Sequence, residues 1–196
     1  MQNRKYQIAI FASGSGSNAE RIAQYFSQHE SIEVSMVLSN KANAGVFDRM
    51  RKYKKIDLLY FTNSDFLEAD KVLKALQNGG IDLIILAGFL LKIPAALIKA
   101  FPKKIINIHP SLLPKYGGRG MYGKRVHEAA IQNGDKISGI TIHEVNEVYD
   151  EGEIIFQANC SISEGMTADE LAAKVQQLEH QHFPSIIEAY VDTLKS

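Results

Sequence analysis

Tyr6-Gln7-Ile8-Ala9-Ile10-Phe11-Ala12-Ser13-Gly14-Ser15-Gly16-Ser17-Asn18-Ala19 runs from an apolar stretch into a Gly/Ser turn, after which Ala19, Ile22, Ala23 and Phe26 recur at helical spacing. This reads as a buried strand, a turn and a helix. Glycines let a backbone approach a ligand closely, and a helix N-terminus offers free amides and the positive end of a dipole. A phosphate site is one reading of Gly16, Ser17 and Asn18. A plain strand-to-helix turn with Ser17 or Asn18 as the N-cap is the other. Gly14-x-Gly16-x-x-Ala19 also fits a loose dinucleotide fingerprint. That pattern expects an acidic residue at the end of the second strand, and the second strand, Ile32 to Leu38, runs instead into Ser39-Asn40-Lys41. The change of residue disfavours NAD, and Lys41 leaves NADP open.

Downstream, strand and helix patterns alternate. Residues 43 to 53 read as a helix with Val46, Met50 and Tyr53 on one face, and 57 to 61 as a short strand. Asp65 to Gln77 reads as one helix with Phe66, Leu67, Val72, Leu73 and Leu76 inward, ended by Asn78-Gly79-Gly80. Ile81 to Ala87 is a continuous apolar strand, of the kind buried in a parallel sheet covered on both faces. Val126 to Ile131 is helical. Ser138 to Val145, where Ile140, Ile142 and Glu144 alternate with Thr141, His143 and Val145, and Glu153 to Ala158 are strands joined by a short loop, and so pair antiparallel. Thr167 and Glu170 form a capping box for a long last helix in which Pro184 is expected to produce a kink. The fold expected is α/β: an open, mostly parallel twisted sheet with helices on both faces and antiparallel strands at its C-terminal edge. Residues 1–196 are expected to form a single domain.

The chemistry concentrates in Ile105-Ile106-Asn107-Ile108-His109-Pro110-Ser111-Leu112-Leu113-Pro114-Lys115-Tyr116. Asn107 and His109 alternate in a strand and point the same way. An amide donor beside a group that titrates near neutrality suits attack on a carbonyl. Hydrogen-bonded structural side chains are the plainer explanation. Asp150, in the loop 146–152, is either a turn residue or the charge that orients His109. Three features converge on the carboxyl ends of the strands, where ligands of such sheets sit: the Gly14 turn, the Gly88-Phe89 turn and the Asn107–His109 segment. Gly117 to Gly123 is a glycine-dense loop, a mobile lid or a solvent loop. His127 faces either the site or solvent. Glu179, one step off the apolar face of the last helix, reads alone as a solvent carboxylate.

The 196 residues carry 22 Lys plus Arg and 22 Asp plus Glu, without a basic block. This balance argues against nucleic acid or an anionic membrane as the main partner, and the small-molecule substrates expected rest on the resemblance given below. The single Cys160 reads as a small buried side chain. The start, Met1 to Tyr6, is polar and lacks the apolar stretch of a signal peptide, so a cytoplasmic protein is expected. The six histidines show no metal-ligand spacing, and no metal is expected. The oligomeric state is left as monomer or homodimer.

Taken in order, Ser13 to Asn18, Ser39-Asn40-Lys41-Ala42, Leu86-Ala87-Gly88-Phe89, Asn107 to Pro114, Asp150-x-Gly152 and Gln177-x-Glu179-His180 make the chain resemble the phosphoribosylglycinamide formyltransferase family, folate-dependent enzymes of purine synthesis. The resemblance covers essentially the whole chain. It implies formyl transfer from 10-formyltetrahydrofolate, as co-substrate, to the amine of 5'-phosphoribosylglycinamide. Asn107, His109 and Asp150 are then catalytic, with Asp150 raising the pKa of His109. Gly16, Ser17 and Asn18 bind the substrate phosphate, and Glu179 its ribose. Phe89, Leu90, Leu91, Lys92 and Ile93, with Asn107, bind folate. Residues 1–100 form the phosphate-binding, Rossmann-like half and 101–196 the catalytic and folate-binding half. The core motif is shared with sister transferases and with formyltetrahydrofolate hydrolases, and the first loop separates them. Where Leu91 stands many members have Arg, and here no Arg occurs between Arg51 and Arg119. A non-catalytic phosphate- or nucleotide-binding domain is the reading from another class. It leaves Asn107, His109 and Asp150 without a task.

Overall fold

In a computed structural model, residues 4–195 are described; residues 1–3, on which the reading of the polar start partly rests, lie outside them. The apolar run that opens the chain forms β1 (Tyr6–Phe11), and Ile8 to Phe11 are fully buried. Burial on both faces requires neighbours on both sides, and β1 is central. It pairs in parallel with β2 (Ile32–Ser39) and with β4 (Leu83–Leu86). Beyond β2 lies β3 (Asp57–Tyr60), and beyond β4 lies β5 (Ile105–His109), both parallel. The ladder then reverses. β6 (Ile137–Glu144) and β7 (Ile154–Ser161) are antiparallel, giving the seven-stranded order β3-β2-β1-β4-β5-β6-β7. Strand order turns back between β1 and β4, and the crevice at their carboxyl ends is where such sheets bind ligands.

Helices cover both faces. On one, α1 (Ser17–Phe26), α2 (Gly45–Met50), α6 (Lys124–Gln132) and α7 (Ala168–Lys195) seal a core that includes Ile8, Ile22, Ile85, Ile140 and Phe183. On the other, α3 (Asn63–Glu68), α4 (Asp70–Asn78) and α5 (Ala95–Ala100) cover Phe11, Phe61, Phe66, Ile84 and Leu97. The mostly parallel sheet with antiparallel C-terminal strands matches the sequence expectation.

Three details depart from it. The helix expected over 65–77 is two. Thr62 caps α3 reciprocally with Asp65, so the helix starts earlier, and Ala69 breaks it at φ 61°. The break re-phases the chain so that Phe66, Ala69, Val72 and Leu76 all face inward, and Leu67 is left 76% exposed. The short helix α5, which follows Pro94, has no counterpart in the sequence reading. β6 does not alternate: Ser138 to His143 are buried on both faces because β5 and β7 flank the strand and α7 packs on it. The last helix, opened by reciprocal bonds between Thr167 and Glu170, is one 28-residue element with Pro184 inside it.

The aromatic cluster of Phe11, Phe61, Phe66 and Phe89 packs under the Gly88 turn, with Phe61 and Phe66 stacked at 5.1 Å. Phe66→Ala leaves a cavity there and is expected to cost about 3–5 kcal/mol of unfolding free energy, measured by urea titration with unchanged m-value.

Candidate active site

The turn after β1 is set by Gly16, whose φ of 78° places it in the left-handed region; a Cβ there would come within 2.5 Å of the Val46 side chain. Gly16 is the N-cap of α1, and neither Ser17 nor Asn18 caps it with a side chain. The first helical amide to find an intrahelical partner is that of Glu20, on the Gly16 carbonyl at 2.9 Å. The preceding N–H groups remain available to an anion, as at any uncapped helix start. Arg49 donates to the Ser15 carbonyl at 2.9 Å and pairs with Glu20, so α2 holds the loop in place.

This loop borders a cavity of about 730 Å³ whose walls include Ser13, Gly14, Asn18, Lys41, Gly88, Leu90, Asn107, His109, Arg119, His127, Asp150 and Glu179. Gly16 lies buried beneath that wall, and the Ser17 hydroxyl accepts from Gln176 at 3.1 Å. Asn18 donates to Glu179 at 2.8 Å, joining α1 to α7. Glu179 is therefore no solvent carboxylate. Burial pushes its carboxyl up from the ordinary value, and the Asn18 amide only partly offsets this.

His109 ends β5, 4% exposed. Its Nε2 lies 2.8 Å from the Tyr116 carbonyl, so that nitrogen carries a proton and donates. Its Nδ1 faces the Asp150 carboxylate at 3.6 Å, beyond direct hydrogen bonding. The loop between β6 and β7 brings Asp150 here, with Asp150 itself at φ 57°. Gly152 is required for that path, because a Cβ would collide with the Glu144 carbonyl. Burial lowers the His109 pKa. Asp150 pushes it up, as expected, and so does the Tyr116 carbonyl, but burial is the larger influence. Burial alone would raise the Asp150 carboxyl, but the His143 and His109 rings and the Gly118 N–H at 2.8 Å hold it below the ordinary range.

Asn107 points into the same cavity, and across the ladder from it stands His143, which sequence reasoning left without a role. Asn107 Nδ2 lies 3.0 Å from His143 Nε2, and His143 Nδ1 lies 2.7 Å from the Glu144 carbonyl. His143 Nδ1 therefore carries the proton, and Nε2 accepts from the Asn107 amide. One N–H of Asn107 is fixed by this bond and the other is left for a ligand. Only strand register pairs these residues. His127 is also buried and lines the cavity.

A smaller cavity beside Asn107, about 70 Å³, is walled by Phe89, Leu91, Lys92, Ile93, His143, Val145 and Tyr149. Lys92 stacks over Tyr149 at 5.8 Å. Among the described residues, the N–H groups of Leu91, Lys92 and Ile93 have no partner within the chain, so a backbone edge is free beside an apolar slot. The Leu90 N–H bonds to Ser13 Oγ at 3.2 Å, tying this turn to the first loop. In the Gly117–Gly123 segment, Arg119 and Tyr122 border the large cavity, and Arg125 lies 5.4 Å from the Tyr122 ring. Among the described residues no group of three or more His, Cys, Asp or Glu side chains is placed to hold a metal ion, and no helix is long and apolar enough to cross a membrane.

An amide donor, an imidazole and a carboxylate meet at a strand end, beside an uncapped helix start in an open α/β sheet, and these are the kinds of group that attack on a carbonyl carbon calls for. The formyl transferase family model matches residues 6–187, and the chain belongs to that family. It is 38% identical over 192 residues to the chloroplastic phosphoribosylglycinamide formyltransferase of Arabidopsis thaliana, covering 95% of this chain and 65% of that protein. It is 35% identical to the Haemophilus influenzae phosphoribosylglycinamide formyltransferase, covering 95% of this chain and 87% of that one. The crystal structure of the Anaplasma phagocytophilum phosphoribosylglycinamide formyltransferase superposes with a TM-score of 0.86 at 33% identity, covering 94% of this chain and 86% of that one. The chain thus spans just under two thirds of the length of the plant relatives, 65% and 61%.

The raised Glu179 carboxyl has a consequence for stability. A carboxyl whose folded pKa lies above its unfolded value favours the protonated folded state, so stability is lost as pH rises past the ordinary carboxylate range. Glu179→Gln keeps an oxygen for Asn18 and removes the charge. Its melting temperature is expected to exceed that of the wild type near neutral pH, and the two should converge as pH falls below about 4, where the wild-type carboxyl becomes protonated in both states.

Proposed function

We propose that this protein is an enzyme that transfers the formyl group of 10-formyltetrahydrofolate to the amine of 5'-phosphoribosylglycinamide. The observation that carries the reading is the single cavity that joins the α1 loop to Asn107, His109 and Asp150. The names of the relatives, phosphoribosylglycinamide formyltransferases, support the acceptor and the group transferred.

In this reading the chain works as one domain with two contributing halves. The free amides at Gly16, Ser17 and Asn18 take the phosphate, and Glu179 takes the ribose. The backbone edge at Leu91–Ile93, with Phe89, Leu90 and Lys92 around it, takes the flat, hydrogen-bonding ring of the folate. Asn107 and His109 meet the formyl group where the two sites join. The amine attacks the formyl carbon, a C–N bond forms, and the carbonyl electron pair moves onto oxygen. The free Nδ2–H of Asn107 and a protonated Nδ1 of His109 donate to that oxyanion. Asp150, kept ionised by its imidazole and Gly118 partners, compensates the imidazolium. The 3.6 Å separation from Asp150 leaves Nδ1–H free to turn to the oxygen. Collapse breaks the bond to the folate nitrogen, which takes up a proton as the new amide nitrogen releases one. Neither substrate needs a metal in this scheme.

The deciding assay mixes the protein with 5'-phosphoribosylglycinamide and 10-formyltetrahydrofolate and follows deformylation by absorbance. Turnover is expected only with the ribonucleotide present, and is expected to vanish in His109→Ala. Deformylation without the ribonucleotide would indicate a hydrolase, and none with it would exclude this acceptor. Asn107→Ala should lower kcat about 10²-fold or more, as loss of an oxyanion donor does. Asp150→Asn removes an influence that raises the His109 pKa. The alkaline limb of the kcat–pH profile, where His109 loses its proton, should then move to lower pH in whatever activity remains.

A further inference from the structure

His127 sits on α6, 5% exposed, with its ring against the large cavity. Among the described residues its Nδ1 is sealed from solvent without any hydrogen-bond partner. A buried polar atom without a partner costs about 1–3 kcal/mol, and most buried polar groups avoid that cost. A core position needing only bulk would be filled more stably by Leu or Phe. The polar ring at this site points to a ligand.

The unpartnered nitrogen also fixes the chemistry on offer. A sealed, orphaned N–H is rarer than an orphaned acceptor, so Nδ1 is the bare nitrogen of a neutral ring. The proton then sits on Nε2, which has no partner and, unlike Nδ1, is not sealed off; it is the nitrogen that meets the cavity. Burial and the nearby His109 both lower the pKa of His127, which keeps the ring neutral. His127 is therefore a neutral hydrogen-bond donor.

Its place along the cavity follows from its neighbours. α6 packs against α7, which carries Gln176 and Glu179 on the same cavity wall. His109 lines that cavity too. His127 lines the same cavity as the carboxylate assigned to the ribose and the imidazole assigned to the reacting centre. In the proposed acceptor, the group between ribose and amine is an amide, whose carbonyl oxygen is an acceptor. We infer that His127 Nε2–H hydrogen-bonds the amide carbonyl of the glycinamide acceptor, placing its amine before the formyl carbon and selecting acceptors that carry such a carbonyl. This rests on the acceptor named under the proposed function.

The test compares His127→Leu, which keeps bulk and loses the donor, with His127→Gln, whose amide N–H reaches about as far as Nε2. In His127→Leu, kcat/KM for the ribonucleotide should fall about tenfold or more, while KM for 10-formyltetrahydrofolate stays within about threefold. His127→Gln should recover most of the loss. A packing role would make no distinction between the two substrates and would give Gln no advantage over Leu. Wild-type kinetics in His127→Leu, or a loss in His127→Gln equal to that in His127→Leu, would overturn the inference. Absence of ribonucleotide-dependent turnover in the wild-type protein would overturn the underlying activity, and this inference with it.

Discussion

Asn107 stands opposite His143 across the β5–β6 ladder, and the 3.0 Å bond between their side chains depends on the reversal of strand direction at that point. β5 is parallel to β4 on one side and antiparallel to β6 on the other. The antiparallel pairing lets a short connection return the chain along β7, and the same connection carries Asp150 to His109. One change of direction in the sheet thus assembles the amide, two imidazoles and the carboxylate. A one-residue slip in this register would turn His143 to the other face and leave Asn107 without its partner.

The electrostatics of the centre are a contest between burial and charge. His109 and Asp150 both lie in low-dielectric surroundings that disfavour their ionised forms. The carboxylate has three partners and stays ionised. The imidazole has one carbonyl and one carboxylate at 3.6 Å, and burial wins. An imidazole whose charged form is disfavoured by burial and favoured by an ionised Asp150 responds to charge that develops beside it, which is the condition under which a preorganised site favours a transition state over its ground state. Glu179 extends the pattern, a carboxyl held in an unfavourable environment by a single amide. Such local instability is common where binding groups must stay unsatisfied until a ligand arrives.

Much of this was legible in the sequence because the signals are local. The apolar run of β1, the glycines of its turn and the helical spacing after it lie within about twenty residues of one another. Asn107 and His109 are two apart in a strand, so their shared direction follows from the pleat alone. Thr167 and Glu170 announce a helix start by their spacing. The readings that failed depended on distant neighbours. The break at Ala69 exposes Leu67 because Phe66 and Val72 both have to reach a core supplied by β1 and β4. The full burial of β6 reflects strands on both its sides and α7 packed on it.

By itself, then, the sequence determined the class of fold and the kinds of groups available at the strand ends, since periodicity, turn chemistry and side-chain type are properties of short segments. The tertiary structure alone decided which of those groups meet. Asp150 reaches His109 across 41 positions of chain, Asn18 reaches Glu179 across 161, and Asn107 meets His143 across 36. It also decided that burial lowers the pKa of His109 against the pull of Asp150, and that His127 turns an unpartnered ring to the cavity. These are matters of burial and of distance between segments remote in sequence, and pattern along the chain does not contain them.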